Sequence, residues 1–470
     1  MGLILTHCYN LYDDKKELKI MKPYPPLGLL YISTFLEEKG INNQIYDSTF
    51  YTKKEQYDYI KKICPKYLGI YVNLMTKLNV LELIYFIRNE GLLKDTIIIL
   101  GGPDVRYNAY NLLKAGADYI VIGEGEVTTY ELLKNLELNK KLNIQNIKGL
   151  EYLSESGELV STGERDKIKD LDILPTPNRN KIKLEKYFNV WQKHHGNNSI
   201  TISTMRGCPY TCKWCSRAVY GLSYRRLSPK RTIDEIQQIK NNYAPDSFWF
   251  VDDVFTISHK WFKEFTELLT KNNIKIRYEC ITRADRMNEE IITLLKESGC
   301  FRVWIGAESG SQKIIDLMDR RVDVKNVEKM IKLSKQNGIE TGTFIMLGYP
   351  GETEEDINKT IKYLNDSNPD YFTITIAYPI RGTELFSEVE NIQLKNYIWD
   401  ITTDREIDFK RTYSKKYYKY AVSRVVNEVN YLKLKNNGVV NLSSVKMKIK
   451  SIISRFGMLW ERKTSNVIIN

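Results

Sequence analysis

The sequence has no apolar run near the roughly 18 residues needed to cross a bilayer, so no membrane-spanning helix is expected. It opens Met1-Gly2-Leu3-Ile4-Leu5-Thr6-His7, directly into a strand pattern and not a signal peptide. No low-complexity tract and no repeat of fixed period are present. Cysteine is scarce, 7 in 470 residues, odd in number and partly clustered. That excludes a disulfide framework and points to a reducing cytoplasm. Charge imbalance is missing from most of the chain. Residues Arg405 to Asn470 carry 15 Lys and Arg against 4 Asp and Glu, and the remainder 55 against 54. The net charge of +12 therefore belongs almost wholly to the C-terminal segment. The length allows two or three domains.

What is there centres on Arg206-Gly207-Cys208-Pro209-Tyr210-Thr211-Cys212-Lys213-Trp214-Cys215. Cys208, Cys212 and Cys215 form C-x3-C-x2-C on a loop after an apolar, β-branched run, Ser199 to Met205. Three thiolates on one short loop can converge on one point, and soft ligands suit an iron–sulfur cluster. A [4Fe–4S] cube held by three cysteines keeps one iron open for a substrate or cosubstrate. A Cys3His zinc site using His194 or His195 is the competing reading, but the paired knuckles usual for zinc are missing.

This loop resembles the cluster loop of the radical S-adenosylmethionine (SAM) enzymes. The resemblance implies that the open iron chelates SAM, which is cleaved to methionine and a 5′-deoxyadenosyl radical.

Upstream, strand and helix patterns alternate to about residue 135, as in a doubly wound parallel sheet. Strand candidates are Gly2–Cys8, Asn43–Tyr46, Tyr67–Val72, Thr96–Leu100 and Ala117–Ile122, with a helix at Leu27–Lys39. Glycine motifs fall at the strand ends, where such sheets bind ligands. Pro25-Pro26-Leu27-Gly28, Leu100-Gly101-Gly102-Pro103 and Ile122-Gly123-Glu124-Gly125-Glu126 are similar to the cobalamin-binding domain that precedes many radical SAM cores. The resemblance implies that Gly101, Gly102, Gly123 and Glu124 bind cobalamin. The D-x-H-x-x-G motif that supplies a lower cobalt ligand in many cobalamin proteins is absent. His7 is the only histidine here, a candidate ligand for which a structural or solvent-facing role is the preferred expectation.

Downstream, a hairpin (Leu150–Tyr152, Glu158–Ser161) and an extended Asp170–Pro177 segment read as a bridge. Six further strands end in polar or glycine residues: the cluster strand, Phe248–Val251, Ile276–Cys280, Phe301–Ile305, Glu340–Met346 and Tyr371–Ile376. They are similar to the partial (β/α)6 barrel of the radical SAM core, with its chemistry at the strand ends. The resemblance places Glu308, at the fourth core strand, and Arg320, on the next helix, against SAM. A guanidinium fork suits the SAM carboxylate. Gly348 and Glu352 match the fifth-strand motif near the adenine. Asp252, Asp253 and Arg283 stand at strand ends as site or surface residues. Cys280 and Cys300 read as core cysteines.

The expected fold class is α/β: a cobalamin-binding Rossmann-like domain (1–138), a bridge (139–195), the radical SAM barrel (196–395) and a basic helical C-terminal domain (396–470). Tyr413–Leu434 reads as one helix. In a second, Val445, Ile449, Ile452, Ile453, Phe456, Leu459 and Trp460 share one side. That face either docks on the barrel, the expectation preferred here, or lies on an anionic membrane.

The family implies [4Fe–4S], SAM and cobalamin as cofactors, and a flavodoxin or ferredoxin as electron donor. The favoured reaction is methyl transfer from SAM, by way of methylcobalamin, to an unactivated carbon of a small-molecule, peptide or lipid product. Cyclisation, rearrangement or oxidation without methyl transfer is the alternative. Modification of transfer RNA, as by methylthiotransferases, would need a second three-cysteine set, and only Cys8 and Cys64 precede Cys208. No nucleic-acid partner is expected.

Overall fold

The computed structural model describes residues 2–137, 141–390 and 398–467. The boundaries expected at 138/139 and 395/396 lie outside the described residues. Two compact units divide the chain. The first comprises Met1–Pro209, Ser216–Trp249 and Ile398–Asp404; the second comprises Tyr210–Cys215, Phe250–Tyr397 and Arg405–Asn470.

The first unit holds a seven-stranded sheet. Its strands are β1 (Leu3–His7), β2 (Asn43–Tyr46), β3 (Tyr67–Tyr71), β4 (Ile97–Gly101), β5 (Tyr119–Val121), β6 (Leu150–Leu153) and β7 (Leu159–Ser161). They lie in the order β2-β1-β3-β4-β5-β6-β7. The pairs from β2 to β5 are parallel, with Leu3 opposite Tyr67 and Tyr67 opposite Ile97. All five residues of β1 are buried, as a strand covered on both faces requires. Helices begin where the side chains dictate. Thr52 and Glu55 form a reciprocal capping box ahead of Lys53–Ile63.

The hairpin read as a bridge is part of this sheet. Val121 pairs antiparallel with Leu150, which is fully buried, and β7 folds back on β6. A three-residue β5 at the edge of a parallel sheet leaves unpaired backbone groups, and the hairpin satisfies them. The unit also holds β8 (Ser199–Ile202), β9 (Met205–Arg206) and β10 (Arg225–Arg226), with β9 and β10 paired antiparallel. Next comes β11 (Ser247–Phe250).

In the second unit β12 (Tyr278–Thr282), β13 (Cys300–Glu308), β14 (Glu340–Leu347) and β15 (Tyr371–Ile376) run parallel. Helices Glu289–Glu297, Val324–Gln336 and Glu354–Ser367 alternate with them. All the strands expected of the core are present. Cys280 and Cys300 are buried in β12 and β13. Burial pushes the Cys280 thiol well up, with Cys300 beside it adding to the effect.

Two helices end the chain. Lys415–Asn436 is capped by the Ser414 hydroxyl and buries Tyr417, Ala421, Val425 and Val429 at four-residue spacing. Leu442–Val467 packs on it, but not by the face expected. Ser444, Ser451, Ser454, Met458 and Glu461 are buried, while Ile449, Ile453 and Phe456 are exposed. Ser451 donates to Glu428 at 2.6 Å, and the Ser454 and Ser423 hydroxyls meet at 2.8 Å. Small residues permit this close approach. A Cβ on Gly457 would stand 2.7 Å from the Tyr420 ring. The expected docking through the apolar face is therefore corrected: the helix docks, and its apolar face points out.

Candidate functional site

In the first unit the glycine motifs gather at the carboxyl ends of the parallel strands. They line a cavity of about 440 Å³ with Leu5, Gly28, Tyr71, Gly101, Gly102, Gly123, Glu124 and Tyr220 among its walls. The volume is that of a ligand pocket, and the wall is mostly apolar. A Cβ on Gly28 would meet nothing within 4 Å, and one on Gly101 only ordinary contacts with Val121. Both glycines thus widen the cradle. Gly102 differs. Its φ is +114°, and a Cβ there would lie 2.4 Å from the Val72 carbonyl, so this glycine is required by the turn itself.

Glu124 does not face the cavity as a free acid. Arg206 Nη1 donates to it at 2.9 Å, Arg225 Nη1 at 2.7 Å, and the Ile168 amide at 2.9 Å. Burial alone would raise its carboxyl. The two guanidiniums and the amide outweigh burial and hold it below the usual carboxylate range. Arg206 also donates to Glu126 at 2.5 Å and lies over the Tyr31 and Tyr220 rings. This buried network joins the Gly-Glu-Gly-Glu motif to the residue before Gly207-Cys208. The pairing was not visible in the sequence, although two glutamates two apart and an arginine at the loop entry were its signal. Gly207 has φ +85°, and a Cβ there would collide with Ser223 at 2.3 Å, so the loop passes only as glycine.

His7 is buried, so the solvent-facing alternative is excluded. Its Nε2 is 3.0 Å from Asp47, and its Nδ1 accepts from the Tyr9 amide at 3.1 Å. No histidine is among the cavity's lining residues. His195 lies near the Ile20 and Met21 carbonyls at the end of helix Leu184–His195.

In the second unit Cys212 is buried and Cys215 exposed; Cys208, of the first unit, is half-buried. Among the described residues no group of three His, Cys, Asp or Glu is close enough to hold a metal ion. The Cys212 sulfur faces two guanidiniums, Arg320 Nη1 at 3.7 Å and Arg283 Nη1 at 3.9 Å. Such donors suit a sulfur carrying ligand charge, and Cys208, Cys212 and Cys215 keep the donor chemistry of an iron–sulfur loop.

Arg320 is not on a helix, as had been expected, but in the turn after Gln312–Leu317, between Asp319 and Arg321, both at positive φ. That turn carries its side chain inward. Nη2 donates to the Gly306 carbonyl at 3.1 Å, and a Cβ on Gly306 would strike that nitrogen at 2.4 Å. Glu308 ends β13 at a register shift, with φ +67°, and its Oε1 is 4.0 Å from Arg320 Nε. Burial raises the Glu308 carboxyl, and Arg320 and Arg283 draw it back. Arg320 Nε is buried with no hydrogen-bond partner. An acid and a guanidinium with a donor to spare, beside Cys212, fit the amino and carboxylate groups of SAM.

Arg283 is fully buried, pairs with Asp285 at 2.8 Å, and holds the Arg320 carbonyl at 2.8 Å and the Tyr210 ring at 3.7 Å. It is an interior residue beside Cys212 and Arg320, not a surface one. Asp252 is buried, and Asp253 exposed. Gly348 has φ +81° beneath the Tyr418 ring, and its amide donates to Glu352 at 2.6 Å.

Residues 202–364 match the Radical SAM superfamily and residues 18–133 the B12 binding domain. The chain is 29% identical over 370 residues to an uncharacterized methyltransferase of Pyrococcus horikoshii, covering 77% of this chain and 78% of that one. It is 29% identical over 301 residues to an anaerobic magnesium-protoporphyrin IX monomethyl ester cyclase of Rubrivivax gelatinosus, covering 63% of this chain and 53% of that one. The fold is similar to the cobalamin-dependent SAM radical enzyme OxsB (TM-score 0.74, 18% identity, 97% and 72% covered). It is also similar to the radical SAM methyltransferase TsrM of Kitasatospora setae, with cobalamin and a [4Fe–4S] cluster bound (TM-score 0.69, 18% identity, 85% and 76% covered). The chain thus joins a B12 binding domain to a Radical SAM superfamily domain, with cobalamin, and an iron–sulfur cluster with SAM, as the cofactors of those two domains.

Proposed function

We propose that this enzyme transfers a methyl group from SAM, through cobalamin, to an unactivated carbon of a small-molecule, peptide or lipid substrate. The observation that carries the reading is the pairing of two built sites in one chain: the glycine-lined cavity at the ends of β1, β3, β4 and β5, and the Glu308–Arg320–Cys212 constellation. When bound, the cluster and SAM supply a hydrogen-abstracting radical, and cobalamin carries the methyl group. In this proposal Cys208, Cys212 and Cys215 hold the cluster. Arg320 binds the SAM carboxylate through its spare Nε–H. Glu308 accepts from the SAM ammonium. Gly348, whose positive φ lets the chain turn after β14, gives the adenine room. Gly28 and Gly101 leave space for the corrin, Gly102 and Gly123 shape the turns beneath it, and Glu124 fixes its loop through Arg206 and Arg225. A flavodoxin or ferredoxin is the proposed electron donor.

The cyclase relative of Rubrivivax gelatinosus favours a second reading, in which no methyl moves. One experiment separates the two. The anaerobically reconstituted enzyme is given cobalamin and methyl-labelled SAM with a set of candidate substrates. Label in the product together with 5′-deoxyadenosine supports methyl transfer. 5′-Deoxyadenosine with an unlabelled, cyclised or rearranged product overturns it.

A further inference from the structure

The terminal helix Leu442–Val467 is seated with its sides reversed. An amphipathic helix on a globular protein ordinarily buries its apolar stripe. Here the buried side carries Ser444, Ser451, Ser454 and Glu461 with Met458 as its one large apolar residue, and the opposite side presents Val445, Ile449, Ile452, Ile453, Phe456 and Leu459. Ile453 is 60% and Phe456 67% exposed, values no packed core position would show. The spacing of three and four residues makes these side chains one continuous strip along the helix.

The borders of the strip are basic. At 100° per residue, Lys446 and Lys450 flank it on one edge and Lys448 and Arg455 on the other. Lys448 is paired with Glu428 at 2.6 Å. Lys446, Lys450 and Arg455 form no ion pair among the described residues. From Leu442 to Arg462 the helix has one acid, Glu461, which is buried and paired with Lys416 at 2.7 Å. The outward half therefore carries apolar and positive groups and no negative one.

We propose that this face is a docking surface for an anionic lipid bilayer, folded before the membrane is met. The charge pattern selects the occupant. A second copy of the chain would set Lys446, Lys450 and Arg455 against their like and be repelled. A neutral apolar groove would leave the basic borders without partners. An anionic headgroup layer meets the lysines with opposite charge while the strip enters the acyl boundary. The helix is 26 residues long and lies along the surface, since no helix among the described residues is long and apolar enough to cross. This goes beyond the proposed reaction and does not depend on it.

The test is flotation of the full-length protein with phosphatidylcholine vesicles, with and without phosphatidylglycerol. Binding is expected only to the vesicles containing phosphatidylglycerol, and it weakens as salt rises. Ile453→Glu/Phe456→Glu abolishes binding with the melting temperature unchanged. Lys446→Gln and Lys450→Gln each weaken it roughly fivefold. The proposal is overturned if the wild type does not bind these vesicles, or if the double glutamate variant still binds. It is equally overturned if that variant melts lower, which means that the strip is covered in the native fold. A concentration-dependent dimer that the variant dissolves assigns the face to a second copy instead.

Discussion

Alanine at Cys208, Cys212 or Cys215 should abolish SAM cleavage and most of the absorbance near roughly 400 nm that an iron–sulfur cluster gives. Alanine at Cys280 or Cys300 should leave both, because those thiols are packed within β12 and β13. Equal loss in Cys280→Ala would mean that the ligands are misassigned. Arg320→Ala should weaken SAM binding by roughly ten- to a hundredfold, the worth of a hydrogen bond to a charged group. Calorimetric titration of the reconstituted enzyme reads this directly. Glu352 makes a prediction about pH. Its carboxyl is raised from 4.5 to about 8, because burial, with Asp356 adding to it, outweighs the Gly348 amide and Lys313, which pull it down. A folded-state value above the unfolded one means that the native state keeps a proton the unfolded chain has lost. Stability therefore falls as pH rises from about 4.5 towards about 8 and levels off above. Glu352→Gln should flatten that fall, and melting curves across the window would show whether it does. Single residues were legible in their donor chemistry, as in C-x3-C-x2-C, where type and spacing declare it. They were illegible where backbone decides. Arg320 reads as a helix charge until Asp319 and Arg321 are seen in left-handed conformations, which no glycine announces.

At the scale of elements the parallel strands were readable to within a few residues at each end, because a strand covered on both faces is a continuous apolar run ending in glycine or acid. The β6–β7 hairpin was readable as a hairpin but not as the sheet's edge, since edge pairing is a backbone event with little side-chain signature. The seating of the terminal helix was the least readable. Its apolar stripe is plain in the sequence, but Ser, Gly and Met make the actual contact, and small residues leave no hydrophobic signal. Two predictions belong here. Gly101→Val should lower bound cobalamin with little loss of fold, because a Cβ at 101 has only ordinary contacts while lying in the cavity wall. Gly102→Leu would damage the turn itself and is the poorer probe. Gly457→Ala gains about 1 kcal/mol of helix propensity. It meets the Tyr420 ring at 2.7 Å, and overpacking costs about 1–3 kcal/mol. Overpacking outweighs the gain in propensity, so the melting temperature should fall; a rise would mean that Tyr420 swings clear freely.

For the whole molecule, family and cofactors were written in the order of motifs along the chain, while the substrate was not. The walls that recognise a substrate are made of side chains whose types are free to vary, whereas cofactor motifs are constrained by turns that only glycine can make. One contact made at Cys212 reaches further than binding. Two guanidiniums bear on that sulfur. Positive charge beside one ligand favours the electron-rich form of whatever the ligand holds. The consequence is electrochemical. Arg283→Gln should shift the midpoint potential of the reconstituted cluster to a more negative value in a redox titration, so a weaker reductant that serves the wild type would no longer charge the variant.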